Sequence, residues 1–290
     1  MPPTKPSRRR LGREALRAWY SLRRGAYPWR ESPDPYAIWV SEVMLQQTQA
    51  ARVVPAFRSF LRRFPTVRAL AAAPRRDVVA EWGGLGYNRR AVRLSEAARA
   101  IVRNHGGRIP RAKDELLELP GVGPYTAAAV ASMGLGEPVA VVDTNVRRVV
   151  SRVYLGTDGH EAPAKEVWAL ADAWLDREDP GTWNQALMDL GREVCTPKPH
   201  CEACPLARVC RFRLSGAVAR RGPNRQGPFE GSSRQVRGAV VNALRSNPSL
   251  TPAHLSSETG FPVDRVEAAV EALTVDGLVE VEAGRVRLAS

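Results

Sequence analysis

Apolar residues recur every three or four positions through most of the first 210 residues, and no stretch there alternates as a strand would. Residues 9–210 are therefore expected to be almost all helix. The run 35–62 keeps helical spacing and opens at Asp34-Pro35, a favourable N-cap and first-turn pair. Further helices are predicted near 66–82, 88–105, 112–118, 124–134, 144–155, 162–178 and 182–192. Breaks such as Gly83-Gly84 and Pro180-Gly181 separate them. The pattern changes after Cys210. Residues 211–233 are basic and carry Gly and Pro, as a linker does, and residues 1–8 read as a basic arm. From 234 to 290, helical runs near 234–246, 252–258 and 263–275 precede two short apolar-alternating segments around Ala283-Gly284, a hairpin signal. Three helices and a hairpin suggest a winged helix-turn-helix; a small packing or dimerisation unit gives the same pattern.

A chain of 290 residues with 44% hydrophobic content suits two or three packed pieces rather than disorder. The net charge of +13 and pI near 10.4 favour a polyanionic partner. No stretch approaches the ~20 apolar residues of a membrane helix, and Met1 to Arg10 lacks the apolar centre of a secretory signal. No membrane association and a cytoplasmic location are expected, bacterial nucleoid or eukaryotic nucleus being left open. All four cysteines lie between Cys195 and Cys210, which excludes scattered disulfides and reads as a metal site.

Three strings carry chemistry. In Leu119-Pro-Gly121-Val122-Gly123-Pro-Tyr125-Thr-Ala127, two glycines at a helix start permit a tight turn whose amides can hold a phosphate. That is the behaviour of a helix-hairpin-helix on DNA, which positions the duplex without reading it. In Asp143-Thr144-Asn145-Val-Arg-Arg148-Val, the aspartate stands at a helix mouth, where it can be a plain N-cap or an anion facing a substrate. Cys195-x5-Cys201-x2-Cys204-x5-Cys210 packs four thiols into 16 residues with one CxxC, a spacing better suited to a cubic 4Fe-4S cluster than to zinc. His200 within it is expected at the surface. Glu42 sits among apolar neighbours on a helix expected to be buried, where a carboxyl favours its protonated form; a buried glutamate bridging two helices is the alternative.

With Tyr27-Pro-Trp29-Arg30, the run Pro35 to Gln49 and Gly84-Leu-Gly-Tyr87, these strings occur in an order and spacing that resembles the MutY-type adenine DNA glycosylases over about residues 10–237. The resemblance implies a mainly α, two-lobed helix-hairpin-helix core over 9–194. One six-helix lobe would span about 35–145, with the second lobe built from both flanks. A 4Fe-4S loop at 195–210 and a winged-helix-like α+β tail at 234–290 would follow. It implies hydrolysis of the N-glycosidic bond of adenine opposite 8-oxoguanine or guanine in double-stranded DNA, leaving an abasic site. By resemblance Glu42 is the catalytic acid and later helps activate water, Asp143 stabilises positive charge on the sugar, and Tyr125 and Asn145 support the site. Gln47 and Tyr87 resemble residues that wedge into the duplex. Leu45, Gly121, Val122, Gly123 and Arg148 are further expected DNA contacts. Trp29 and Arg30 resemble base-pocket residues, and the four cysteines would hold the cluster. Tyr125 stands where strand-cutting relatives carry a nucleophilic lysine, and a tyrosine forms no Schiff base, so little lyase activity is expected. A monomer is expected, with an abasic-site endonuclease as a downstream partner.

Several positions depart from the family pattern: Gly25, beside Arg24, where an arginine is usual; Asn88 for a second tyrosine; Thr144 for glycine; and five residues, not six, in the first cysteine gap. The tail is shorter than the Nudix-like domain of typical members, so it would add non-specific DNA affinity or bind a protein. A thymine or uracil mismatch glycosylase is the nearest alternative, against which Gln46-Gln47-Thr48-Gln49 argues. An endonuclease III-like lyase is disfavoured by Tyr125 and Glu42. An iron–sulfur DNA-binding regulator would not need Glu42 and Asp143 together.

Overall fold

The structure, a computed structural model, describes residues 7–23, 25–31, 34–220 and 227–290. Most of the expected basic arm, Arg24 and the middle of the linker, 221–226, lie outside the described residues. Sixteen α-helices and one strand pair make up these parts: α1 Arg8–Ser21, α2 Pro28–Glu31, α3 Pro35–Leu45, α4 Ala50–Arg63, α5 Val67–Ala72, α6 Arg75–Glu81, α7 Arg89–His105, α8 Lys113–Leu117, α9 Pro124–Ala129, α10 Thr144–Val150, α11 Ala164–Trp174, α12 Pro180–Glu193, α13 Arg211–Leu214, α14 Ser233–Ser246, α15 Pro252–Thr259, α16 Val263–Val275, β1 Val279–Glu282 and β2 Arg285–Leu288. The mainly helical class follows the sequence pattern. Two expected long helices are each broken. Residues 46–49 part α3 from α4, and Ala73-Pro74 parts α5 from α6, the proline starting the new helix without an amide hydrogen to continue the old one. No helix of the described residues is long and apolar enough to cross a membrane.

The chain forms two compact units. The first takes Met1–Trp39, Arg111–Leu117 and Gly123–Pro223. Its core holds Leu16, Tyr20, Val146, Val149, Val150, Leu187 and Leu190 around a ladder of edge-on rings, Tyr154 to Trp174 at 5.1 Å and Trp174 to Trp183 at 5.0 Å. Residues after the hairpin belong here rather than with the central helices. Buried Asn184 of α12 explains this, because it accepts from Val141 N at 3.0 Å and donates to Ser132 Oγ at 2.8 Å and Val139 O at 2.9 Å. Both α9 and α10 widen into π-helical turns, Val130–Gly134 and Ser151–Leu155.

The second unit takes Val40–Pro110, Glu118–Val122 and Asn224–Ser290. Within it Phe60 meets Phe64 and Trp82 edge-on, at 5.0 and 5.9 Å, and Val53, Leu70, Val78 and Ile101 are fully buried. The C-terminal helices α14, α15 and α16 pack on one another through Val236, Val240, Leu244, Leu255, Val266 and Leu273. β1 and β2 pair antiparallel with Val281 opposite Val286, and Leu250 adds an isolated bridge to Val286. Ala283 (φ 48°) and Gly284 (φ 75°) turn the hairpin as the sequence predicts. This tail does not stand apart. Arg245 Nη2 donates to Val79 O at 3.0 Å, Arg75 Nη1 to Gly277 O at 3.4 Å, and Asp276 pairs with both Arg237 and Arg89. From residue 234 on, six arginines face seven acidic residues, so the positive excess of the chain lies before the tail.

Candidate active site

Within the first unit, Asp143 caps α10. Its Oδ1 accepts from Val146 N at 2.6 Å and its Oδ2 from Asn145 Nδ2 at 2.8 Å. The two readings of this residue are compatible, since the cap fixes where the carboxylate points. Burial pushes its pKa above the ordinary aspartate value, while the Val146 and Asn145 hydrogen bonds and the Arg148 charge pull it back. Asn145 Oδ1 in turn accepts from Arg148 Nη2 at 2.8 Å. Arg148 also donates to Gly191 O at 2.6 Å and to Cys195 O at 2.5 Å. Expected at the DNA, its guanidinium is instead turned inward, and it ties the Asp143 cap to the start of the cysteine loop.

That tie needs α12 close to α10, and Gly191, which the sequence pattern did not single out, makes the approach possible. A Cβ there would lie 2.6 Å from Asn145 Cβ and 2.9 Å from Asn145 O. Gly191→Ala is expected to destabilise the protein by about 1–3 kcal/mol through overpacking and to slow any reaction that uses Asn145. Thermal denaturation checks the first effect; an unchanged midpoint would show that the backbone yields without cost.

Of the expected base-pocket residues, Trp29 is buried and stacks on Tyr27 at 5.0 Å with planes 5° apart. Arg30 forms a buried fork on Asp189, Nη1 to Oδ2 at 2.8 Å and Nη2 to Oδ1 at 2.9 Å. Arg192 shares Asp189 at 2.9 Å, and both guanidinium groups lie over the Tyr27 ring. A Cβ on Gly25 would sit 3.0 Å from Tyr27 Cε2, so the Tyr27 ring occupies the space beside the missing side chain. Asp189, 159 residues from Arg30, gave no local signal.

Tyr125 is half-buried in the first turn of α9, against the Ala128–Ala129–Val141 cluster. The turn before it carries Gly121 at φ 75°, closed by Val122 N donating to Leu119 O at 3.1 Å. A Cβ on Gly121 would strike Arg93 Cβ at 2.7 Å. Gly123 is the N-cap of α9, so no side chain occupies its first amides.

In the second unit, Glu42 is 6% exposed in a segment buried from Tyr36 to Met44, as its neighbours predict. Leu45 ends the same helix, half-buried. Gln47 and Tyr87 are both exposed, on separate loops, and both have left-handed backbone, φ 56° and 48°. Arg90 contacts both loops and was not anticipated. Asn88 stands at the N-cap position of α7 without a side-chain cap bond, its buried Oδ1 having no hydrogen-bond partner among the described residues.

The cysteines return to the first unit. Cys210 is buried and the other three half-buried, around a 3-10 turn at Cys201–Ala203; His200 is exposed. Cys210 Sγ donates to Arg152 O at 3.5 Å. Arg152, 1% exposed, donates to Cys195 Sγ at 3.5 Å and to Thr196 O at 2.7 Å, and pairs with buried Asp158. Burial holds Cys195 and Cys210 above the ordinary thiol range and pushes Cys204 up to about 12. Half-buried and buried thiols, one of them accepting from a buried guanidinium, suit a cationic centre that takes up thiolate charge. Among the described residues no three Cys, His, Asp or Glu side chains group as ligands of one ion. A cubic cluster asks for a different arrangement, one thiolate at each iron. The residues fit such a cluster.

Comparison with known proteins agrees with this assembly. Residues 40–174 match the HhH-GPD superfamily of base excision DNA repair proteins. The fold is also that of a thermostable thymine-DNA glycosylase, with a TM-score of 0.67 and 31% identity over 72% of this chain and 97% of that one. An endonuclease III–DNA complex gives 0.61 at 24% identity, a likeness of fold. The chain is thus a helix-hairpin-helix protein of the base-excision repair class. Within that class it belongs to the adenine DNA glycosylase family: it is 41% identical to the adenine DNA glycosylase of Mycolicibacterium smegmatis over 278 residues, 94% of each chain. The human adenine DNA glycosylase is 43% identical over 213 residues, 69% of this chain and 39% of the human one. Coverage of the mycobacterial relative extends well into the C-terminal tail, whereas the human match corresponds in length to the core alone.

Proposed function

We propose that the chain excises adenine opposite 8-oxoguanine or guanine in double-stranded DNA, hydrolysing the N-glycosidic bond. What carries the reading is near full-length similarity to adenine DNA glycosylases, in a chain that buries Glu42 and holds Asp143, half-buried, at the mouth of α10. Glu42 gives its proton to adenine N7, which makes the base a neutral leaving group. The C1′–N9 bond then breaks and leaves positive charge on the sugar, which the Asp143 carboxylate stabilises. Water adds at C1′ and gives up a proton toward Glu42, so the products are adenine and an abasic site. Tyr125 offers no amine to the sugar, so the strand stays intact until alkali cuts it.

Gln47 and Tyr87 enter the duplex and offset part of the few kcal/mol of flipping. The hairpin at Gly121–Gly123 contacts phosphate without reading bases. The tail, near-neutral and with Asp264, Glu267 and Glu271 exposed on α16, is a docked winged-helix-like element that does not add phosphate affinity. The protein acts as a monomer, its abasic product passing to an endonuclease. Cys195, Cys201, Cys204 and Cys210 would hold a 4Fe-4S cluster, which when bound cross-links the loop and supplies a one-electron redox couple. Purified protein is expected to carry about four irons and matching acid-labile sulfide per chain, lost in Cys201→Ser. About one zinc and no sulfide would replace the cluster by a structural ion.

Base release from a duplex panel tests the activity: A opposite 8-oxoguanine, G or C, and T or U opposite G, followed by alkali. Release of adenine opposite 8-oxoguanine or G is expected. Release of T or U alone would favour the reading that the thymine-DNA glycosylase likeness supports.

A further inference from the structure

Among the described residues only three non-glycine positions have left-handed backbone: Gln47, Tyr87 and Ala283. Ala283 belongs to a tight hairpin turn, where such backbone is ordinary. Gln47 and Tyr87 do not. A side chain with a Cβ disfavours this conformation, and it persists only where surrounding contacts over-determine it.

One side chain reaches both loops. Arg90, in the first turn of α7, donates from Nη1 to Val43 O at 2.8 Å, Met44 O at 2.9 Å and Gln46 O at 2.6 Å. From Nη2 it donates to Thr48 Oγ1 at 3.1 Å and Gly86 O at 3.0 Å, and more distantly to Leu85 O. Its Nε lies 3.4 Å from Tyr87 O. The guanidinium also stands over the rings of Trp82 and Tyr87, at 5.4 and 5.6 Å. Val43 and Met44 offer the unpaired carbonyls at the end of α3, where a cation is favoured. No carboxylate pairs with Arg90 among the described residues, so its donors serve the Gln46 carbonyl and the Thr48 hydroxyl on either side of Gln47, and the carbonyls of Leu85, Gly86 and Tyr87. A planar fork of five donors can hold two loops at a fixed separation; an ammonium cannot.

We infer that Arg90 is a positioning residue for base extrusion: it brackets the 46–48 and 85–87 loops so that Gln47 and Tyr87 are presented to the duplex together. This rests on the reading of those two residues as the inserted pair. The bracket is formed before DNA arrives, so the strain at both positions is met by folding rather than by binding.

The test uses the full-length, cluster-loaded protein with Arg90→Lys, Arg90→Gln, Gln47→Ala and Tyr87→Ala, and the doubles that join Arg90→Lys to each alanine. The substrate is a duplex with A opposite 8-oxoguanine and 2-aminopurine beside the adenine, whose fluorescence rises on unstacking. Single-turnover base release, the fluorescence rise, affinity for undamaged duplex and the melting midpoint are measured. Arg90→Lys and Arg90→Gln should slow release about 10–100-fold, as misplacement without loss of a reacting group does. They should suppress the fluorescence rise and leave undamaged-duplex affinity unchanged. Adding either alanine to Arg90→Lys should cost less than about twofold more, because the residues act through one unit. Multiplicative effects would overturn the bracket. So would slowing accompanied by an equal loss of undamaged-duplex affinity, or a melting midpoint lowered in Arg90→Lys with the fluorescence rise intact, either of which marks a purely structural arginine. Alanine variants with wild-type release would instead remove the insertion reading beneath it. Where Arg90→Gln fails to fold, Arg90→Lys, which keeps the charge, carries the test.

Discussion

Glu42→Gln is expected to slow adenine release by roughly 10²–10⁴-fold, the usual contribution of a general acid, with duplex binding retained. The substitution is nearly isosteric and keeps a polar group in a segment where Ser41 and Met44 are 0% exposed and Val43 is 6% exposed, so packing is preserved. What it removes is the proton. An amide cannot supply one to adenine N7, and without it the departing base must carry negative charge. Glu42→Ala would confuse this with a cavity on a tightly packed helix. The measurement is single-turnover release beside gel-shift affinity for the same duplex. Release within about tenfold of wild type would assign Glu42 to helix packing and place the proton source elsewhere.

Much of the architecture could be read from apolar spacing, because a 3.6-residue stripe survives without knowledge of its partner. Helices α7, α12, α14 and α16, and the Ala283-Gly284 hairpin, fall within two residues of their expected positions. Proline at Pro74 and the short loop at 46–49 were hidden by the continuous apolar pattern around them. The residues proposed for the reaction and the cluster were legible for a different reason. Glu42, Asp143 and the four cysteines lie in local strings whose spacing itself carries information. Arg90, Asp189 and Gly191 do not. Each has a partner 40 or more positions away: Arg90 on the carbonyls of Val43, Met44 and Gln46, Asp189 on the Arg30 guanidinium, and Gly191 through a missing Cβ beside Asn145. An arginine that serves carbonyls looks, in sequence, like any of the other positive charges of a basic chain. Arg148 shows the same limit from the other side, since its motif is local but its inward bonds to Gly191 O and Cys195 O are set by α12 and the loop after it.

Asp143→Asn is expected to reduce base release by about 10²–10³-fold, the scale on which one preorganised electrostatic group acts, and to change the acid side of the pH profile. Asparagine is as good an N-cap as aspartate, so α10 should persist with Val146 N still satisfied. The second oxygen is where the change falls. Asn145 Nδ2 donates to Asp143 Oδ2; with an amide there, two donors meet, and Asn145 must turn over. That turn presents its own NH2 to Arg148, which now donates to Asn145 Oδ1. One lost charge therefore also disturbs the chain of bonds that runs through Arg148 to Cys195 O. The sign of the pH effect follows from burial. The working form of Asp143 is the carboxylate, burial penalises that form, and its pKa stands above the ordinary aspartate value. As pH falls, the wild-type protein should lose single-turnover rate earlier than an ordinary surface aspartate would dictate, and Asp143→Asn should lack this limb at its lower plateau. An acid limb that survives unchanged in Asp143→Asn would belong to another group, and Asp143 would then keep only its cap.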